Sequence, residues 1–178
     1  MTLPEVLVLS GPAGAGKSTA CAAIAGRVGG ALAIDGDTLA SARRPWDYDA
    51  YWDFVMRVCA DVLRNGLVPV LCGIGLPSQV FPAADRAGFR VDMLALVCAP
   101  EVVRARIVDR GYGEAWRDPE KHVAVGETLR TATAPAPHRI GRFDSGTHDA
   151  AATAEAVSGW AEAAVGRRAG TRPSTAGR

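Results

Sequence analysis

No excess of positive charge marks this chain. Its 178 residues hold 20 Lys and Arg against 19 Asp and Glu, a formal net charge of +1. A dedicated nucleic-acid binder usually carries a strong basic surplus, so that class is set aside. Paired cysteines are missing too. Cys21, Cys59, Cys72 and Cys98 form no C-x-x-C pair and fall in apolar stretches. They are expected as reduced, buried thiols of a cytosolic protein, with neither a zinc site nor a disulfide. No apolar run approaches the length of a membrane span. The apolar start lacks a positive leader and a cleavage pattern, so no signal peptide and no membrane partner are expected. Asparagine occurs once, at Asn65.

What is present is an ordinary globular composition, 48% hydrophobic. The length suits one domain with a full core. Apolar runs at Glu5–Ser10, Ala31–Asp35, Leu67–Gly73 and Val91–Cys98 read as strands, and Arg139–Asp144 as a last short one. Pro69 is awkward in the third, because it removes a ladder donor. Helical stretches lie between them. They run from Lys17 to about Val28, Tyr48 to Asn65, Val80 to Ala87, Pro100 to about Arg110, from Pro119 behind an Asp118 cap, and Thr147 to Val165. In the second of these, Tyr51, Val55, Val58 and Val62 share one face, and Gly66 ends it. The stretch 166–178, rich in Gly, Pro, Arg and Thr, shows no apolar pattern and is expected to be a disordered tail after a single domain over 1–165. Strands alternating with helices predict an α/β fold with a parallel sheet covered on both faces. Ligands in such sheets bind at the carboxyl ends of the strands.

Strand one runs directly into Gly11-Pro12-Ala13-Gly14-Ala15-Gly16-Lys17-Ser18-Thr19, which fits G-x-x-x-x-G-K-[ST] without a mismatch. Its physics is specific. Glycines let backbone N–H groups curl around phosphate oxygens, and the next helix adds its positive end. Lys17 supplies a point charge to the β- and γ-phosphates, Ser18 a hydroxyl to Mg²⁺, and Thr19 a contact to the α-phosphate. Ala13 and Ala15 contribute loop backbone. A GTPase would show N-K-x-D, and the lone Asn65 nearly excludes it. AAA-type and transport ATPases carry an acidic residue at the end of an apolar strand, whereas "VLCGIG" and "ALVCAP" have none. The second strand ends Asp35-Gly36-Asp37-Thr38. Phosphoryl transfer needs a metal holder and a group that orients or deprotonates the attacking hydroxyl. An Asp-Gly turn with Asp37 capping the next helix explains these residues equally well.

The chain resembles the small-molecule kinases related to adenylate kinase, among them shikimate, gluconate and adenylylsulfate kinases and chloramphenicol phosphotransferase. The resemblance rests on the phosphate loop, on "AIDGDTL", on "VLCGIG", on "VVRARIVDR" and on "FDSGTHDAAATAEAV". It implies a three-layer fold with a five-stranded parallel sheet in the order 2-3-1-4-5. It implies Asp37 as the base that contacts the acceptor, Asp35 holding a Mg²⁺-bound water, and Gly73 and Gly75 as a floor near the acceptor. Arg106 would pack over adenine and Arg110 would point at the phosphates. Residues 111–117 would form a lid, with Arg117 as a second phosphate clamp. Ser145, Gly146 and Thr147 would lie near the base. The Arg that adenylate kinases carry after the third strand is absent from Gly73-Ile74-Gly75-Leu76-Pro77-Ser78, which favours an uncharged or weakly charged alcohol as acceptor. Arg43 and Arg44 could bind an acidic group of that acceptor, and Trp46 could line its pocket; of Tyr51 and Trp52, one is expected in the core. His122, His138 and His148 receive no role. The expectation is an ATP- and Mg²⁺-dependent transfer to a hydroxyl of a small molecule by a monomer or homodimer. A nucleoside or nucleotide kinase and an ATP-binding switch without an acceptor are the alternatives.

Overall fold

In the computed structural model, residues 3–40, 47–109 and 118–171 are described. Five strands form one parallel sheet: β1 (Glu5–Ser10), β2 (Ala31–Asp35), β3 (Val68–Cys72), β4 (Arg90–Val97) and β5 (Arg139–Asp144), in the spatial order β2-β3-β1-β4-β5. The helices are α1 (Lys17–Arg27), α2 (Gly36–Ala40), α3 (Tyr48–Arg64), α4 (Pro77–Ala87), α5 (Pro100–Asp109), α6 (Pro119–Thr131) and α7 (Ala150–Thr171). The expected α/β class and strand order are both present.

Burial explains the runs. β1, β3 and β4 are covered on both faces and read as near-continuous apolar stretches. Alternation still sorts their side chains. Val6, Val8, Leu71, Met93 and Ala95 face a core built with α3, α4 and α6. Leu7, Leu9, Val70, Leu94 and Leu96 face a second core with α1 and α7. Pro69 fits because of where its missing donor falls. Gly73 N–H reaches Leu9 O of β1, so two-residue alternation turns Pro69 toward β1 as well. The β1–β3 register begins only at Val70.

Three departures from expectation go beyond a residue or two at an end. α2 appears at "GDTLA", a stretch to which no helix was assigned and where an Asp-Gly turn and a chemical role stood even. α4 begins at Pro77, since Pro suits a first helical position and Gln79 Oε1 accepts from Leu76 N. α7 continues through Thr171, beyond the expected end at Val165. Its polar end is anchored. Arg167 donates to Glu5 Oε2 and to Asp92 Oδ2 at 2.9 Å. Arg168 donates to Leu63 O and Leu67 O, serving carbonyls at the end of α3. Trp160 also reaches Asp92, which explains a carboxylate within β4. All four cysteines are free and buried. No helix among the described residues is long and apolar enough to cross a membrane.

Ending the chain at Val165 should therefore destabilise it. Arg167→Ala should cost roughly 1–2 kcal/mol, because the buried carboxylate of Glu5 loses one charged partner. Urea unfolding of both variants checks this. An unchanged midpoint for the truncated chain would show that the last turns of α7 contribute nothing.

Candidate active site

The loop Gly11–Gly16 leaves β1 at its carboxyl end and delivers the first turn of α1. Gly14 and Gly16 have φ of 79° and 95°, in the left-handed region that favours glycine. A Cβ on Gly14 would also stand 3.0 Å from Arg106 Cβ. Gly11 passes so close to β4 that a Cβ would meet Leu96 O at 2.8 Å. Lys17 Nζ donates to Gly11 O at 2.9 Å and Pro12 O at 2.8 Å, arching over the loop. Ser18 is exposed on the first turn of α1, and Ala15 is buried.

Beside the loop lies a cleft of about 300 Å³. Its walls include Gly14, Ala15, Gly16 and Thr19, Arg106 and Asp109 of α5, and Ser145, His148, Ala150 and Thr153 after β5. Arg106 is held in place by two carbonyls. It donates through Nη1 to Gly14 O at 3.1 Å and through Nη2 to Ser145 O at 2.9 Å. The guanidinium is thus fixed at the wall of the cleft. Gly146 N donates to Asp144 Oδ1 and Thr147 Oγ1 to Asp144 O. These two residues shape the turn, while Ser145 and His148 face the cleft.

At the ends of β2 and β3 a second group converges. Asp35 is half-buried, and its Oδ1 accepts from Asp37 N at 2.9 Å. Asp35 rather than Asp37 therefore caps α2, leaving the Asp37 side chain exposed in the first turn. Tyr51 of α3 donates its hydroxyl to Gly36 O at 3.1 Å. Burial first, then the charges of Asp37 and Asp35, push Tyr51 up to about 12. Gly36 and Gly73 meet backbone to backbone: a Cβ on Gly73 would be 3.4 Å from Gly36 Cα. Ser10 Oγ donates to Gly75 O at 2.7 Å, and Gly75 N lies 3.1 Å from the same oxygen. Trp52 underlies Gly75 so tightly that a Cβ there would lie 2.8 Å from the indole. Both Tyr51 and Trp52 are buried, where only one was expected in the core.

The two groups are neighbours. The Cys72 thiol at the end of β3 is pushed up by its hydrogen bond with Cys21 and by burial; Asp35 adds to this and Lys17 opposes it. Cys72 also pairs in register with Leu9 of β1 and with Asp35 of β2, so the loop and the carboxylates leave the sheet on either side of β3. Among the described residues no group of three His, Cys, Asp or Glu could hold a metal alone. Mg²⁺ needs less, because it binds through one or two protein oxygens, water and substrate phosphates. The Ser18 hydroxyl and Asp35 suit that demand.

Arg43, Arg44, Trp46, Arg110, Arg117 and the lid over 111–117 lie outside the described residues. Sequence reasoning missed Ser10 as the clamp on Gly75. It also missed His122, whose Nδ1 accepts from Ala13 N at 3.4 Å and so fastens α6 to the loop. His148 at the cleft was missed as well. His138 is structural: its Nδ1 accepts from Val91 N, its Nε2 lies 3.1 Å from Asp85 Oδ1, and it stacks on Phe81.

No family model and no curated protein sequence matches the chain. Solved structures do. A tunicamycin resistance protein of Deinococcus radiodurans is similar with a TM-score of 0.64 at 14% identity, over 89% of this chain and 95% of that one. A gluconokinase of Sinorhizobium meliloti 1021 is similar with 0.53 at 19%, over 94% of each. A tRNA isopentenylpyrophosphate transferase of Bacillus halodurans is similar with 0.56 at 12%, over 95% and 99%. At such identities these show the fold alone, a parallel sheet covered on both faces that the chain shares with them.

Tyr51 gives the site a pH signature. The folded protein keeps its phenolic proton up to about 12, whereas an unfolded chain loses it near 10, the ordinary tyrosine value. This contribution to stability is complete below about 10 and is lost as pH rises toward 12. Urea unfolding between pH 9 and 12 should show the decline, and Tyr51→Phe should make it shallower. Identical slopes would contradict the placement of Tyr51.

Proposed function

We propose that the protein is an ATP- and Mg²⁺-dependent phosphotransferase acting on a hydroxyl of a small molecule. One observation carries this reading. A complete phosphate loop at the end of β1 stands beside two carboxylates at the end of β2, with Leu9 and Asp35 both paired in register with Cys72 on the strand between them. Phosphoryl transfer asks mainly for positioning and charge. Lys17 swings onto the β- and γ-phosphates, and loop amides hold the rest of the chain of phosphates. Arg106 packs over the base. Ser18 and a water held by Asp35 would hold Mg²⁺, which would neutralise charge on the phosphate oxygens. Asp37 accepts the acceptor's hydroxyl proton as the new O–P bond forms and the bond from the γ-phosphorus to ADP breaks. By the resemblance, Arg110 and Arg117, which lie outside the described residues, would meet the phosphates and help exclude water.

Gly73 and Gly75 would floor the acceptor side; Arg43, Arg44 and Trp46, outside the described residues, would meet the acceptor by their chemistry. The even charge balance speaks against a tRNA substrate. The names of the fold relatives suggest probes, gluconate and tunicamycin among them. The protein should be incubated with Mg·ATP and pooled sugar acids, nucleosides and antibiotics, and products read by mass spectrometry. One acceptor should gain the mass of a phosphoryl group and stimulate ATP turnover. Asp37→Asn should lower that transfer by about 10²- to 10⁴-fold while calorimetric ATP binding persists. Full transfer by Asp37→Asn would remove Asp37 from the role of base. ATP-dependent partner binding with no product from any acceptor would favour a switch.

A further inference from the structure

Two adjacent residues of α3, Tyr51 and Trp52, support the two backbone segments that flank the acceptor side. Their rings meet edge to face, with centroids 5.3 Å apart. Trp52 braces Gly75, which Ser10 also clamps. Tyr51 braces the turn at the end of β2 through its hydroxyl. A phenylalanine would fill this part of the core as well as tyrosine does. The hydroxyl therefore needs an explanation beyond packing. Its acceptor is the carbonyl of Gly36, first residue of α2. A helical turn supplies such a carbonyl with a donor of its own, four residues on. The bond from Tyr51 is thus an additional tie, placed between the two carboxylates.

The tie acts where orientation matters. Asp35 Oδ1 holds Asp37 N from one side of the turn. Tyr51 holds the intervening Gly36 from the other. A Cβ on Gly36 would stand 3.3 Å from the Tyr51 oxygen and 3.2 Å from Cys72 O, so the turn is pressed against both. The Asp37 backbone is fixed while its side chain stays exposed. A carboxylate on a pinned backbone keeps its reach to an attacking oxygen without paying for order at each turnover.

We propose that Tyr51 is a positioning residue: by holding the Gly36 carbonyl, its hydroxyl sets the Asp35-Gly36-Asp37 turn and so the carboxylate that the acceptor's hydroxyl meets. This rests on the role given to Asp37 above. Misplacement of a reacting group by about 1 Å can cost on the order of 10²-fold in rate.

The test compares wild type, Tyr51→Phe, Asp37→Asn and the double variant. Phosphate release from Mg·ATP is measured with water as probe acceptor, and transfer is measured with the pooled alcohols. Tyr51→Phe should lower kcat by about 10- to 100-fold, with the KM for ATP changed less than about twofold. In the Asp37→Asn background the same change should have no further effect, because a residue that acts through Asp37 has nothing left to position. Urea unfolding at neutral pH separates this from a general loss of structure. Multiplying effects in the double variant, or full activity in Tyr51→Phe, would overturn the proposal and leave Asp37 standing. Full activity in Asp37→Asn would instead overturn the role of Asp37, and the proposal with it.

Discussion

β1 is bonded along both edges and buried on both faces, and the rest of the molecule is arranged around that constraint. A strand so enclosed has one register and no freedom to slide. Its last residue, Ser10, is fully buried and passes that rigidity sideways to Gly75 through two short contacts. Gly11, the next residue, lies against Leu96 O with no space for a side chain. The phosphate loop therefore starts from a point fixed in three directions. Its curvature needs glycine dihedrals at Gly14 and Gly16, and its far side is secured by Arg106 and His122. The result is a cradle whose shape is set by neighbours on β3, β4, α5 and α6.

Much of this was legible in the chain because it depends on local rules. The phosphate loop has a fixed spacing, and each residue has a backbone or charge requirement. The strands β1, β2 and β5 match their expected bounds, since short apolar runs flanked by glycine or aspartate leave little choice. The Asp118 cap and Pro119 opened α6 as expected, with Asp118 Oδ1 accepting from Glu120 N. Gly66 ended α3 with Leu67 N donating back to Val62 O.

What could not be read was set by distant partners. The tail beyond Val165 has a disordered composition, yet Arg167 and Arg168 find carboxylates and carbonyls more than a hundred residues earlier in most cases. Nothing at Ser10, His122 or Tyr51 announces that each touches a loop of the site, because those contacts are made by the fold. Asp35 and Asp37 were balanced between turn and chemistry. The geometry divides the work: Asp35 caps the turn, and the Asp37 carboxylate remains outside it.

The carboxylates hang from β2, and β2 is an edge strand, hydrogen-bonded to β3 alone. The loop that holds phosphate grows from the centre of the sheet, where every change disturbs neighbours on all sides. The two halves of the site thus differ in how much substitution they tolerate. Along β2 itself every side chain is at least partly exposed, and Leu32 there already faces solvent. On the proposed reading, a lineage built on this scaffold can change its acceptor at the margin while the loop at the centre of the sheet stays as it was. The place of a strand in the sheet order sets which half of the chemistry is free to evolve.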